Sequence, residues 1–378
     1  MEFTCEKKDL QSGVSAVERI VATRSTLPII GNILFETNKN SLKLSANNLE
    51  IGVEVGVKAN VGREGAVLLP AKTLSDMVAR LPEGVVGFKL VENGRVRVSY
   101  GPSSFTINSL PPDEFPTLPK VKGGKSFSVA SEILTSMIKQ TIFACASSEE
   151  KQVLTGVLVE VGKSSLGGDV SNLRLVATDG YRLARRGEKV DLASMGEASF
   201  VVPARALQEL SRIIEGKSLE KVVITASPEQ ISFHCGNVYL ISRLIAGQFP
   251  DYRQVIPKKA TTKIILETEE VLHAAERAAV VASGSANITR IEVKSGKMHL
   301  TAHTPDVGSV DEVLSSEIKG EEKVQISFNI RLIIDALKVL NSKKVVFELS
   351  EGLSPGLIRP EEGEDFIYIV MPIRTQES

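Results

Sequence analysis

The chain has 378 residues, 42% of them apolar, and its 45 basic and 46 acidic side chains leave a formal net charge of −1. That length is enough for two or three domains, and the near-neutral balance argues against capture of nucleic acid by overall charge, though not against positive charge gathered on one face. Cys5, Cys145 and Cys235 are odd in number, far apart and without metal-ligand spacing, so a reducing cytoplasm without disulfides is expected. The opening MEFTCEKKDL has no hydrophobic signal core, and no run of about 18 apolar residues occurs, so neither export nor a membrane span is expected.

In chain order, the first stretch after Asp9 has a helical period, with Leu10, Val14, Val17 and Val21 spaced by three and four. Alternating runs follow in NILFET, SLKLSA and GVEVGV. A second helix is predicted near Pro70, because proline is tolerated in a first helical turn. After LPEG come the alternating runs VVGFKL, RVRVSY and SFTIN. EFPTLPKV follows, where Phe115-Pro116 forces extended or turning backbone.

The same order then returns. LLPAKTLSDMVARL (68–81) is matched by VVPARALQELSRII (201–214) and, with Asn329 where the proline stood, by ISFNIRLIIDALKVL (326–340). LSANNLEIGV (44–53), LVATDGYRLA (175–184) and LTAHTPDVGS (300–309) form a second set. AVERIVAT (16–23) returns as AAERAAVVAS (274–283), and Phe249-Pro250 of QFPDYRQVIP repeats Phe115-Pro116. These landmarks agree on one period of roughly 125–130 residues, which predicts three diverged copies, with domains at 1–122, 127–256 and 262–378. Each copy reads as helix, strands, helix, strands. Alternation within the strands predicts antiparallel sheets with one buried face, an α+β arrangement. The terminal YIVMPIR (368–374) reads as a last strand, with Tyr368, Val370 and Pro372 on one face and Ile369, Met371 and Ile373 on the other.

The second helix of each copy carries an apolar stripe: Leu74, Val78, Leu81; then Leu207, Leu210, Ile214; then Ile330, Ile333, Leu337, Leu340. The opposite faces read basic, acidic, basic: Lys72, Asp76, Arg80; Arg205, Glu209, Arg212; Arg331, Asp335, Lys338. One such face is ordinarily a solvated surface with weak internal ion pairs. Three matching faces in one chain point to a common surface facing a common partner.

Signals for an enzyme fail on spacing. The Gly-Lys pairs of GGKS (123–126), Gly162-Lys163 and Gly216-Lys217 have Pro119, Val157 and Ser211 where a phosphate-binding loop needs glycine. His299 and His303 are four apart in a strand-like stretch, about 13 Å, too far to share one ion. Asp179 of ATDGYRLARR stands before Gly180, a turn-forming position, with no partner base or metal ligand in the motif. No cofactor and no metal site are expected.

RSTLPIIGNI (24–33), LLPAKTL, LPPDEFP, ATDGYRLA, GQFPDYRQVIP and YIVMPIR together resemble the bacterial DNA polymerase III β subunit family, the DNA sliding clamps. The resemblance runs in register from Met1 to Arg374. It implies a homodimer: a head-to-tail ring of three-domain subunits around duplex DNA, with helices inside and sheets outside and no catalytic activity. The implied duplex contacts are Arg24, Lys72 and the loop Ser148–Val153 with Lys151, Gln152 and Val153; the repeat adds Arg205. The implied seam sets the strand Ser104–Asn108, with Phe105 and Ile107, against the third copy near Val280 and Val281. The implied pocket for linear motifs of the polymerase, the clamp loader and other clamp-binding proteins maps onto Leu154, Thr178, Gly180, Tyr181, Arg182, Leu183, Pro250, Val255, Leu353, Met371, Pro372, Ile373 and Arg374. Arg182 and Arg374 are expected to bond the peptide's polar groups at its rim. Tyr181 and Gln254 stand where some members carry histidine and arginine, and a tail, TQES, follows Arg374 and could lie over the pocket. Residue patterns alone leave two rivals open: a monomeric repeat scaffold, and an enzyme using ATDGYRLARR.

Overall fold

The computed structural model describes residues 1–21, 27–121, 124–162, 171–192, 196–215, 221–321 and 324–374. The first copy contains β1 (Glu2–Glu6), α1 (Lys7–Glu18), β2 (Asn32–Asn38), β3 (Ser41–Asn47), β4 (Ile51–Lys58), β5 (Asn60–Arg63), β6 (Gly65–Pro70), α2 (Ala71–Arg80), β7 (Val85–Val91), β8 (Arg95–Tyr100) and β9 (Ser103–Asn108). The second contains β10 (Lys125–Ala130), α3 (Ser131–Lys139), β11 (Gly156–Val161), β12 (Leu173–Thr178), β13 (Arg182–Glu188), β14 (Ala198–Pro203), α4 (Ala204–Ile214), β15 (Lys221–Ala226), β16 (Gln230–Cys235) and β17 (Val238–Arg243). The third contains β18 (Thr262–Glu267), α5 (Thr268–Ala282), β19 (Ile288–Lys294), β20 (Lys297–Thr304), β21 (Gly308–Ser315), β22 (Glu317–Gly320), β23 (Gln325–Asn329), α6 (Ile330–Leu337), β24 (Lys344–Leu349), β25 (Gly356–Pro360) and β26 (Asp365–Val370).

Each copy opens with a strand, not with its helix. Phe3 and Cys5 of β1 are buried, and Phe3 stacks on Phe88 with ring centroids 5.0 Å apart. β1 is short and runs straight into α1, so its alternation is hidden beside the stronger helical period of Leu10, Val14 and Val17, all buried. The second helices start where expected. At α6, Asn329 caps the helix by accepting a hydrogen bond from the Arg331 amide at 3.0 Å, the role for which that residue type is suited. The apolar stripes of α2, α4 and α6 are buried throughout.

The opposite faces of these helices are less alike than their sequences. Asp76 and Arg80 are exposed and adjacent, as the pattern implies. Glu209 is not on a solvated face: it is 5% exposed and paired with Arg212 at 2.9 Å. Asp335 is drawn off its own helix to Arg182, 2.6 Å away.

One compact unit comprises Met1–Thr135 and Arg205–Leu244. It holds a five-stranded sheet, β5-β1-β7-β8-β9, and an eight-stranded sheet, β10-β15-β16-β17-β4-β3-β2-β6. In the second sheet β17, last strand of copy two, pairs antiparallel with β4 of copy one, Val238 opposite Val55. The other unit comprises Ser136–Ala204 and Ile245–Ser378. Its nine-stranded sheet runs β14-β11-β12-β13-β26-β25-β24-β18-β22, and its four-stranded sheet runs β21-β20-β19-β23. Here β26, last strand of copy three, pairs antiparallel with β13 of copy two, Arg182 opposite Val370.

The β13–β26 junction is charged as well as apolar. Arg185 (8% exposed) bonds Asp365, which also accepts from the Ser171 hydroxyl at 2.7 Å. Arg186 (5% exposed) bonds Gln140 at 2.9 Å and Glu188 at 2.7 Å. Buried guanidinium groups are tolerated only when so paired. β26 ends at Val370, and Tyr368, Ile369 and Val370 are all buried between neighbouring strands. The expected split of YIVMPIR into two faces therefore stops at Val370, and the residues beyond it leave the sheet. Asp365→Asn removes the charge that satisfies Arg185 and is expected to cost about 2 kcal/mol. A lower denaturant midpoint for this unit checks it; an unchanged midpoint would mean the junction does not depend on the pair.

Candidate functional site

A cleft of about 570 Å³ opens in the second unit. Its floor is the outer side of one apolar core cluster: Leu154, Leu183, Tyr252 and Ile369, each under 9% exposed, with Val255 packed against them. Four chain segments supply the walls. The 3-10 helix Glu149–Thr155 brings Lys151, Gln152, Val153 and Leu154; the turn into β13 brings Thr178, Gly180, Arg182 and Leu183. The linker after β17 brings Ala246, Gln248, Pro250, Asp251, Tyr252 and Val255, and the C-terminal segment brings Ile369 and Met371.

Local hydrogen bonds make these walls stiff. In the turn, Asp179 Oδ1 accepts from the amides of Tyr181 and Arg182 at 2.9 and 3.0 Å, while Thr178 Oγ1 donates to the Arg182 carbonyl at 2.6 Å. Gly180 takes φ +94°, a left-handed conformation that suits glycine. The C-terminal segment is tied to this turn by the Met371 amide, which donates to the Tyr181 carbonyl at 2.9 Å. In the linker, Gly247 has φ +127°, and a Cβ there would sit 2.7 Å from Val153 Cγ2. Glycine thus lets the linker and the 148–155 segment close on one another.

Charge at the rim is largely neutralised from within. Arg182 Nε lies 3.0 Å from Asp179 Oδ2 and its Nη1 2.6 Å from Asp335 Oδ2, with the guanidinium over the Phe143 ring. Burial opposes its charge, but the hydrogen bond to the Asp335 carboxylate and the nearby Asp179 charge outweigh that and raise its pKa above the ordinary arginine value. The hydrogen bond from Gln254, with help from Arg253, holds the Asp251 carboxyl below the usual range. Tyr252 donates its hydroxyl to Glu160 at 2.8 Å, and burial followed by that bond pushes its pKa up.

Of the thirteen pocket residues expected from sequence, eight line this cleft: Leu154, Thr178, Gly180, Arg182, Leu183, Pro250, Val255 and Met371. Tyr181 and Leu353 are exposed outside it, at 72% and 53%, and Pro372, Ile373 and Arg374 do not reach its lining. Arg182 is not a free rim group, since two carboxylates already hold it. Sequence reasoning gave Lys151, Gln152 and Val153 to DNA alone and did not include Ala246, Gln248, Asp251, Tyr252 or Ile369. Asp251 and Tyr252 directly follow Pro250, so the FPDY run carried a signal for them. ATDGYRLARR, the rival enzyme motif, has its Asp179, Arg182, Arg185 and Arg186 committed to structural pairs.

The remaining expected residues fall elsewhere. Lys72 and Arg205 are exposed on α2 and α4, and Arg205 donates to the Arg19 carbonyl at 3.2 Å. Ser148 caps the 3-10 helix by accepting from the Glu150 amide at 3.3 Å. Arg24 and the tail Thr375–Ser378 lie outside the described residues. Phe105 is half-buried on the edge strand β9, whereas Ile107, 5% exposed, packs into its own sheet. Val280 is 69% exposed on α5, and Val281 is partly buried. Among the described residues no His, Cys, Asp and Glu cluster could hold a metal ion, and no helix is long and apolar enough to cross a membrane. The three cysteines are free thiols.

This domain repeat with its apolar cleft is the architecture of a processivity clamp. Family models for the N-terminal, central and C-terminal domains of the DNA polymerase III β subunit match residues 1–119, 128–251 and 253–374. The β sliding clamp of Synechocystis sp. is 33% identical, with 99% of each chain covered. Among solved structures, the Bacillus subtilis sliding clamp superposes with a TM-score of 0.92 at 30% identity, covering 99% of both chains. The Thermotoga maritima β subunit gives 0.91 at 28%, again over 99% of both. The chain belongs to the bacterial DNA polymerase III β subunit family, the β sliding clamps. It is a sliding clamp, not an enzyme.

Arg182→Gln leaves Asp179 and Asp335 without their shared cation and is expected to destabilise the chain by about 2–4 kcal/mol. Thermal melting of the variant checks it; a midpoint equal to wild type would show that the triad carries little of the cleft's rigidity.

Proposed function

We propose that two copies of this chain close head to tail into a ring that encircles duplex DNA without sequence preference. The ring tethers the replicative polymerase, the clamp loader and other DNA-processing proteins through the cleft. The chain acts in the cytoplasm, as three clamp domains at 1–122, 127–256 and 262–378. The observation that carries this reading is the way copies join. The last strand of copy two, β17, pairs with β4 of copy one, and the last strand of copy three, β26, pairs with β13 of copy two. β4, β13 and β21 occupy the same place in the sequence repeat. The last strand of copy one, β9, and the third copy's β21 are each hydrogen-bonded on one side only. The same rule applied once more joins β9 of one chain to β21 of its partner, a heterologous contact that closes after six copies. Exposed edge strands are otherwise an aggregation hazard, so the seam also answers a physical need. Val280 stands on α5, which packs on β20 and β21, and supports the same seam.

A ring held by topology needs no strong grip on its cargo. Contacts from Arg24, Lys72, Lys151, Gln152 and Arg205 to phosphate would position the duplex without reading bases. The cleft has an apolar floor and few polar groups, which suits a short linear segment with two or three apolar anchors.

Phe105→Asp with Val280→Asp places charge on both sides of the seam, where an unpaired buried charge costs several kcal/mol. Folded monomers that no longer stay on circular DNA are expected. Sedimentation as an unchanged dimer would favour a seam elsewhere, and sedimentation of the wild-type chain as a monomer would favour the scaffold reading.

Replacing Arg24, Lys72 and Lys151 with alanine is expected to weaken duplex binding about equally for any sequence. The salt dependence should become shallower by about one unit or less for each phosphate no longer neutralised. An unchanged slope or a strong sequence preference would count against a sliding surface.

Deleting Met371–Ser378 removes one wall of the cleft and the Met371–Tyr181 tie. Binding of a labelled polymerase tail peptide, followed by fluorescence polarization, should be lost while the dimer persists. Deleting only Thr375–Ser378 should leave binding intact or slightly stronger. Full affinity after the longer deletion would place the peptide elsewhere.

A further inference from the structure

We propose that Lys151 reads an acidic residue flanking the apolar anchors of the bound peptide, and that seating such a peptide withdraws the same ammonium from duplex phosphate. The inference rests on the reading of the cleft as a peptide site and of the 148–153 loop as a DNA contact.

Among the described residues, three ionic side chains line the cleft: Lys151, Arg182 and Asp251. Two of them are answered from within the chain. The Arg182 side chain is 12% exposed and held between Asp179 and Asp335. Asp251 accepts from Gln254 at 3.2 Å and lies 3.5 Å from Arg253 Nη1. Lys151 is exposed and forms no ion pair with a described side chain. Lys151 is therefore the one cation of the cleft lining without a carboxylate partner among the described side chains, it stands beside an apolar floor, and neutral Gln254 does not add another. A carboxylate next to the anchors complements that layout, while a basic residue there is repelled.

The place of Lys151 is set by its backbone. It sits at a kink in the 3-10 helix, with φ −121° and ψ 70°. Ser148 caps the segment on one side, and on the other the Thr155 hydroxyl donates to the Gln152 carbonyl at 2.7 Å. The next residues, Val153 and Leu154, are cleft wall and floor. A long aliphatic stem carries the ammonium from this anchored point, so the stem can lie along the apolar wall while the charge reaches solvent, phosphate or peptide. One ammonium cannot neutralise a phosphate and a peptide carboxylate at once. An acidic peptide and the duplex thus oppose each other at this residue, and by linkage the opposition is mutual.

The test uses the full chain and two labelled peptides with identical apolar anchors, one carrying Asp and the other Asn at the flanking positions. At low salt the wild-type chain should bind the Asp peptide about two- to fivefold more tightly, the size expected of an exposed ion pair. In Lys151→Gln the ratio of the two affinities should fall to about one, a comparison that isolates the pair from other effects of the substitution. Saturating Asp peptide should make the salt dependence of duplex binding shallower by about one unit, and the Asn peptide should not. Equal affinities on the wild-type chain, a preference that survives in Lys151→Gln, or the same salt slope with both peptides would overturn the proposal. If neither peptide binds the wild-type chain, the cleft reading fails, and this proposal with it.

Discussion

A strand at the edge of a sheet carries a row of amides and carbonyls that need partners, and in this chain that need sets the organisation above the level of one copy. β17 satisfies β4, and β26 satisfies β13, so each copy is joined to its neighbour by backbone hydrogen bonds rather than by side chains alone. The linker that follows each Phe-Pro pair serves this pairing: Phe115 and Phe249 are buried, fixing the chain as it leaves one copy for the next. In the proposed ring the same antiparallel join would pair β9 of one chain with β21 of its partner, two strands that are each hydrogen-bonded on one side only.

The cleft depends on the same junction. β13 reaches its β26 pairing through the Asp179–Gly180 turn, and that turn holds Arg182 beside Asp335 of α6. The buried charges Arg185 and Arg186 lie farther along the same strand and bond partners on β26, on the segment after α3 and on β13 itself. Breaking such pairs is costly because the remaining charge has nowhere to go. The floor residues Leu183 and Ile369 face each other across these paired strands. Rigidity at the junction therefore becomes shape in the cleft, and polar residues that resemble an active site act as its frame.

Much of this was legible in the chain alone. The helical stripes of α2, α4 and α6 appeared in register because each must cover a sheet, and burial of Leu74, Leu207 and Ile333 follows directly. Phe-Pro pairs marked the linkers because proline restricts the residue before it. β1 stayed hidden because five residues running into a helix offer too little alternation to set against a 3.6-residue period. Asp335 looked like a solvated helix charge, since its partner Arg182 is set by packing, which helical spacing does not record; Glu209 keeps the partner that spacing offers, Arg212, and only its burial was hidden.

By itself, the sequence determined the repeat and the class of most elements, because periodic burial and backbone restriction are local properties written residue by residue; the eight expected residues that meet in the cleft came from the resemblance to the clamp family, not from that periodicity. Tertiary structure alone decided which charges remain available. Arg182 and Lys151 are both cations lining the cleft, yet Arg182 is taken by carboxylates 3 and 153 positions away while Lys151 forms no ion pair with a described side chain. Pairing of charges depends on distance in space, and only the folded chain brings residues 151, 182, 251 and 371 to one surface.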